Sequence, residues 1–339
     1  VLKKNSSQGV ALVLVIFVIA LATIVVVNLT YSTYLAARAN IAIERSLYAE
    51  YLLKSCVNIA KTYLSADKNI NSDGPQEDWA KLFSKGQSID SKFLDIQDTG
   101  NTIISIELIA ENRKLVARNL LDDQGTQVNS TKRDILVRLF QNLGFDNDLD
   151  ELETRWQFNG KHFTSEELVA NLIDFMDADD TSYSDPNFVP GVEGMLPKGT
   201  FPNKKPTWVS ELNSIPGFTP ARVRKLEPLI TFVGVTSTNV NFAPPIILQS
   251  LSSAMTQNEI QQIIEFRDSE NGPFSNASAI ANIVGGTIWN EINTTVGYSS
   301  DYFQVIGKVD LGVKSYFVRS ILQRDLQNSL VNVQSIEYF

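Results

Sequence analysis

The sequence predicts an α+β chain: one long N-terminal helix, a small antiparallel sheet, and a large helical insertion that interrupts the sheet. Three observations carry this. An apolar run opens the chain and passes into an amphipathic stretch with no Pro or Gly from Val10 to Leu64. Strand-like alternation appears before residue 122 and returns after residue 298, while the stretch between reads mainly as helix. Turn-rich breaks separate these stretches, as at Asn71-Ser72-Asp73-Gly74-Pro75.

Composition narrows the function before any motif does. The 339 residues suffice for two domains, or one with a large insertion. At 43% apolar and 20% charged the chain has the makeup of a folded protein. A net charge of −9 opposes the basic surface that nucleic-acid binding requires. Cys56 is the one Cys, so an internal disulfide and a Cys-based zinc site are excluded. His162 is the one His, which removes most Ser-His-Asp and metal-hydrolase schemes. No enzymatic activity is expected.

Val10 to Val27 has Thr23 as its only polar side chain, and no charge occurs from Asn5 through Ala37. A helix of that length spans about 27 Å, close to a hydrocarbon core of about 30 Å. Lys3 and Lys4 precede it, so the positive-inside rule puts the N-terminus in the cytoplasm and the bulk outside. A cleaved secretory signal is the rival reading, but it is normally shorter, about 7–15 residues, and ends in small residues. Here Ala36 and Ala37 lie well past the run. Further on, Tyr34, Ile41, Tyr48, Leu52, Ile59 and Tyr63 recur at spacings of seven and four, which puts them on one helical face. Cys56 is expected to be a small buried apolar residue.

Ser7-Gln8-Gly9-Val10-Ala11-Leu12 joins a short basic leader to the apolar run through a Gly. This resembles the type III signal of type IV pilins and type II secretion pseudopilins, which a prepilin peptidase cuts after the Gly. The resemblance implies a cleaved leader over 1–9, a processed and methylated N-terminus at Val10, and a transmembrane and amphipathic helix over 10–64. Most such subunits carry Glu at the fifth mature position; counted from Val10, that residue is Leu14. An unpaired carboxylate in hydrocarbon costs several kcal/mol, so that Glu suits only a subunit with a neighbour ahead of it. Its absence, with the unusual length, is similar to the K-type minor pseudopilin family of type II secretion.

Asn71-Ser72-Asp73-Gly74-Pro75 is a turn-rich stop. Thr102 to Leu108 alternates as a strand, and Lys114 to Leu121 follows a short polar turn, so the two are expected to form a hairpin. Tyr302 to Val309 and Val313 to Arg324 read as another strand pair, and Val331 to Phe339 as a last strand. The pilin-like core is thus expected over 65–121 and 299–339, with the inserted helical domain over 122–298.

Within the insertion, residues 130–204 carry fourteen acids against seven bases. The densest stretch is Leu172-Ile173-Asp174-Phe175-Met176-Asp177-Ala178-Asp179-Asp180, followed by Asp185 and Glu193. It is not an EF-hand: counted from Asp177, Ser182 stands where Gly is needed and Phe188 where the bidentate Glu is needed. Asp146-x-Asp148-x-Asp150 fails likewise, with Glu151 at the Gly position, and Asp148 is assigned to a solvated face. Spacing alone favours a solvated acidic loop. The K-type resemblance implies instead a calcium-bearing loop, because Leu172 to Asp180 is similar to the family's Leu-Ile-Asp-Trp-x-Asp-x-Asp, with Phe175 for Trp. The ligands it implies are Asp177, Asp179, Asp180, Asp185 and Glu193. Gly191-Val192-Glu193-Gly194-Met195 departs from the family's Gly-Ala-Glu-Asp and paired Tyr, keeping the Glu and losing the Asp.

Two further stretches resemble helix-hairpin-helix units. Val209 to Phe218 leads into Thr219, an expected N-cap, and Pro220 at the first helical position; Asn239-Val240-Asn241 opens the second unit. Such units hold phosphate on backbone N–H groups at a Gly turn, aided by Lys or Arg. The second carries Glu259, Glu265, Asp268 and Glu270 against Arg267, so both are read as packing devices without nucleic acid. The resemblance implies a structural subunit of a Gram-negative inner membrane, single-pass, with its bulk periplasmic. Its expected role is to cap the pseudopilus tip and help initiate assembly for protein export. The implied partners are the I-type and J-type minor pseudopilins, the major pseudopilin and the prepilin peptidase. The alternatives are a type IV pilus tip subunit and a membrane-anchored DNA-uptake protein.

Overall fold

The computed structural model describes residues 7–83, 88–89, 102–234, 237–312, 314–325 and 330–339. Lys3 and Lys4, which carry the orientation argument, lie outside them. In chain order the elements are α1 (Ser7–Ala66), α2 (Asp78–Leu82), β1 (Ser88–Ile89), β2 (Ile103–Ala110), β3 (Leu115–Val116), α3 (Ser130–Asn142) and α4 (Ser165–Met176). Then come α5 (Pro220–Leu226), β4 (Ile230–Thr231), β5 (Thr238–Asn239), α6 (Pro245–Leu251), α7 (Gln257–Asp268), α8 (Ala277–Ile292) and β6 (Val296–Gly297). The chain closes with β7 (Tyr302–Asp310), β8 (Ser315–Arg324) and β9 (Val331–Tyr338). The fold is α+β.

The main sheet has the order β1-β2-β7-β8-β9 and is antiparallel throughout. β2 and β7 are neighbours from Ile103↔Asp310 to Ala110↔Phe303, although the whole insertion lies between them in sequence. The expected hairpin of β2 with 114–121 does not form. Both edges of β2 are already paired, so Leu115-Val116 runs instead beside Ile230-Thr231 in a short parallel ladder. A one-turn 3-10 helix at Glu111–Arg113 redirects the chain. It is fixed by the buried Lys114–Glu111 ion pair at 2.8 Å and by Asn112, whose Nδ2 donates to Asp301 Oδ1 at 2.8 Å.

α1 lies along the sheet with its C-terminal half. Ala49, Leu52, Leu53, Cys56, Val57, Ala60 and Leu64 are buried there, while Tyr48, Ile59 and Tyr63 only flank this stripe. The contact face is therefore turned from the one that the bulky residues suggest. Small residues at its centre let the helix approach the sheet so closely that a Cβ on Gly307 would come within 3.1 Å of Cys56 Cβ. Burial pushes the Cys56 thiol up to about 12, so it stays protonated and inert.

The insertion stands at one pole of this core. Its chain leaves from Ala110 and returns at Tyr302, beside the end of α1, where Arg324 reaches Asp67. At the opposite pole, Leu311 and Lys314 of the β7–β8 turn line a cleft together with Arg38, Ile41 and Arg45 of α1. The nine residues of β7, at about 3.3 Å each, separate the poles by about 30 Å. The insertion is thus farthest from the apolar run. It has its own core, in which Phe140, Phe145, Phe163, Phe218 and Leu172 are fully buried.

Candidate functional site

α4 delivers the acidic loop. Its start is set by a capping box: Thr164 Oγ1 accepts from Glu167 N at 3.3 Å and Glu167 Oε2 accepts from Thr164 N at 2.9 Å. Its apolar residues Leu168, Val169, Leu172, Ile173 and Met176 enter the core, which fixes the helix's rotation. Asp177 then caps its C-terminus. A helix C-terminus carries partial negative charge, so this is an unfavourable place for carboxylates without a cation.

Asp174, fully buried on the last turn, holds the loop together. Its Oδ1 accepts from Tyr183 N at 2.5 Å and its Oδ2 from Glu193 N at 2.7 Å, so one carboxylate ties both limbs of the loop to the helix. Gly191 must lack a side chain because a Cβ there would sit 2.1 Å from Asp174 Oδ2. Asp174 belongs to the motif read from the sequence but not to the expected ligands. Nothing in spacing announces that it faces inward to amides.

Of the expected ligands, Asp177, Asp179, Asp180 and Glu193 share one field of negative charge, although no three of them bring oxygens within 4.8 Å of one another. Burial, then the charges of Asp174, Asp179 and Glu193, push Asp177 up to about 8. Burial, then Asp174, Asp180 and Asp179, push Glu193 up to about 7. Asp174 rises to about 6, chiefly by burial and against the amides it accepts from. Asp177 Oδ1 and Glu193 Oε2 are buried without any hydrogen-bond partner, and so is Oδ1 of Asn203. Asn203 donates to Asp179 O at 2.8 Å and to Asp180 Oδ1 at 3.2 Å. No sequence signal pointed to this Asn. Asp185 faces elsewhere: it pairs with Arg133 at 2.7 Å and accepts from Asn187 N, and these hold its carboxyl below the usual range.

The donor set is anionic oxygen with two orphaned carboxylate oxygens, which fits a hard cation such as Ca²⁺. Asp148 is not on a solvated face. Its Oδ2 accepts from Arg222 Nε at 2.9 Å and its Oδ1 lies 3.0 Å from His162 Nε2, next to the fully buried Arg222. The guanidinium also donates to the carbonyls of Phe145, Phe163 and Gly217, so this triad fastens the insertion's core.

The helix-hairpin-helix stretches form as packing devices. Thr219 caps α5 with Pro220 at its first position. The turn residue Gly217 has φ +87°, and a Cβ there would strike Leu168 and Phe163. Its N–H, which would face phosphate in a nucleic-acid complex, donates to Glu153 Oε2 at 2.7 Å. In the second unit Asn241 exchanges two hydrogen bonds with Phe274, at 2.9 and 2.8 Å, and Arg267 donates to the carbonyls of Val240 and Ala243.

At the N-terminal end, Gly9, Val10 and Leu14 are all exposed on α1, Leu14 by 60%. A Cβ on Gly9 would meet nothing within 4 Å, so packing within the chain does not demand a glycine there. Among the described residues α1 is the one helix long and apolar enough to cross a membrane.

Comparison with known proteins follows the same lines. No curated protein matches the chain by sequence. A chain of the crystal structure of the GspK-GspI-GspJ complex from the enterotoxigenic Escherichia coli Type 2 Secretion System shares its fold, with a TM-score of 0.65. The match has 14% identity and covers 88% of this chain and 98% of that one. Residues 114–235 match the family model described as Type II secretion system (T2SS), protein K. That segment, set in a chain with the fold of a subunit of the K–I–J complex, supports a type II secretion system protein K.

Proposed function

We propose that this minor pseudopilin caps the tip of the pseudopilus, together with I-type and J-type minor pseudopilins, and helps initiate its assembly for protein export. The observation that carries the reading is the position of the insertion. It stands at the pole of the sheet opposite the apolar run, where a further subunit stacked along the filament would have to sit. Leu14 supports it, since with no subunit ahead a carboxylate there would find no neighbour's N-terminal amine to pair with in lipid. The prepilin peptidase would cut after Gly9, where close backbone approach rather than internal packing requires glycine. The long apolar helix α1 fits a single-pass anchor, in the inner membrane with the bulk periplasmic. The major pseudopilin would follow below.

Calcium belongs to this reading. Asp177, Asp179, Asp180 and Glu193 would hold it, and its charge would relieve repulsion that otherwise leaves two buried carboxylate oxygens unmatched. Asp174 positions the loop without being a ligand.

The test is deletion of the gene, with export of folded periplasmic proteins as the readout. Export should fail and return when the chain is supplied again. Normal export without it, or a Leu14→Glu variant distributed along the filament shaft with export intact, would overturn the tip assignment.

A further inference from the structure

The pole of the core that faces the membrane carries a cleft that the tip reading does not use. It lies between α1 and the β7–β8 turn, has a volume of about 510 Å³, and is lined by Arg38, Ile41, Arg45, Leu311, Lys314 and Tyr316. Three of these are cations, three are apolar or aromatic, and no described lining residue is acidic. Arg38 and Arg45 are seven residues apart, so they project from nearly the same helical face about 10 Å apart along the axis. Glu44 lies about 100° round the helix from Arg45 and away from the cleft. Lys314 Nζ stands 4.7 Å over the Tyr316 ring, beside the apolar floor, and the Arg38 guanidinium 4.9 Å over the Tyr34 ring, one turn nearer the membrane.

The height of the cleft decides its occupant. The uncharged stretch runs to Ala37, and Tyr31 and Tyr34 fall where interfacial aromatic residues gather at the membrane surface. Arg38 stands one helical turn, about 6 Å, beyond Tyr34, so the lower end of the cleft opens at the level of lipid headgroups in the leaflet on the sheet's side, with Arg45 about 10 Å farther out. A cleft lined by three cations and an apolar floor, with its lower end at that depth, matches a phosphodiester headgroup with the upper part of its acyl chains. We propose that this cleft binds an anionic glycerophospholipid of the membrane that α1 spans, and so sets the height and tilt of the domain on the bilayer. The proposal rests on the membrane-anchor reading of α1 and is independent of the tip assignment.

The experiment uses the full chain in detergent. It is offered equal amounts of phosphatidylglycerol and phosphatidylcholine with identical acyl chains, and retained lipid is read by native mass spectrometry. Phosphatidylglycerol should be retained in preference. Arg38→Gln, Arg45→Gln and Lys314→Gln should each lower the ratio about fivefold, the effect of one cation near a charged membrane surface. Lys54→Gln, farther along α1, should leave it unchanged. All four positions are exposed, so melting temperatures should match the parent chain. Soluble glycerophosphate should not compete, because it lacks the acyl chains that the floor covers. Equal retention of the two lipids, or a ratio unmoved in the triple variant, overturns the proposal. A triple variant that loses a partner subunit while keeping its lipid ratio makes the cleft a protein contact instead. Flotation with pure phosphatidylcholine vesicles checks the anchor separately, since it does not depend on lipid charge.

Discussion

Two places in this molecule gather carboxylates, and they resolve the repulsion in opposite ways. At the junction of α1, the sheet and the insertion, Asp67, Asp73 and Glu77 bring their oxygens within 4.8 Å of one another, the one such group of three among the described residues. Arg324 is built into it, fully buried, donating to Asp67 at 2.6 Å, to Asp73 at 2.6 and 2.5 Å, and to Ser300 O at 2.8 Å. The acidic loop after α4 is looser, yet it leaves Asp177 Oδ1 and Glu193 Oε2 buried and unmatched. Closeness of carboxylates is thus a poor guide to a cation site. The better guide is whether the chain supplies the positive charge itself.

The largest effect should come from removing that internal charge. Arg324→Met leaves Asp73 buried beside two other acids, and losing one partner of a buried pair costs about 3–5 kcal/mol. Thermal melting of the full chain should show it, with much of the loss recovered in Arg324→Met/Asp73→Asn. If the single variant melts like the parent, the junction is not held by this pair. The acidic loop should behave in the opposite sense, gaining from a cation added outside. Ca²⁺ at a hundredfold excess over Kd should stabilise the fold by about 2.7 kcal/mol. Chelator should remove the gain, Mg²⁺ should substitute poorly because it demands a small octahedral site, and Asp177→Asn should abolish the response. Melting that ignores chelator would make the loop a charged surface only.

How much of this contrast was legible in the sequence depends on how local each signal is. The apolar run, the Thr219-Pro220 helix start and the returning strands were visible because periodicity and capping act over a few residues. The acidic motif was visible as composition. Its internal division was not: Asp174 turns inward to two amides, Asp185 turns away to Arg133, and Asn203 enters from beyond the motif. Partners separated by 251 residues, such as Asp73 and Arg324, leave no spacing to read. The missed hairpin has the same origin, because β7, not the next strand in sequence, takes the free edge of β2. The helix face is not legible from bulk, because closeness of approach decides it: Ala49, Cys56 and Ala60 are fully buried, and Cys56 sits against Gly307 of the sheet.

A pH series sharpens the comparison at the junction. Glu77 is pushed up to about 8, first by burial and then by Asp73 and Asp67, against the N–H that Trp79 donates to it at 2.5 Å. Its folded value is therefore raised above the ordinary carboxylate value of about 4.3. Its contribution to stability is full below that lower value and is lost as pH rises through about 8. Glu77→Gln keeps an acceptor for Trp79 and should flatten the fall between those limits. The expected difference at the alkaline end is on the order of 1–2 kcal/mol after discounting for solvent screening. An unchanged slope would place the titration elsewhere.

The smallest effect should separate Asp185 from its neighbours in the acidic loop. Sequence groups it with Asp177, Asp179, Asp180 and Glu193, but its side chain is committed to Arg133, whose guanidinium also lies 4.4 Å over the Phe188 ring and 3.1 Å from the Tyr183 hydroxyl. Its carboxyl is held low by Asn187 N and Arg133, the reverse of the upward shifts at Asp177 and Glu193. A carboxylate already neutralised by its own chain gains little from a cation. Asp185→Ala should therefore melt only slightly below the parent without calcium, since the pair is part-buried but its carboxylate still meets solvent. It should also keep nearly the whole calcium response. Arg133→Gln, which frees Asp185 from its partner, should if anything increase the response by adding an unmatched acid beside the loop. Loss of the calcium shift in Asp185→Ala would show that the loop rearranges on binding and recruits a carboxylate from its internal ion pair, and the division between self-neutralised and cation-dependent acids would then have to be drawn on the bound form.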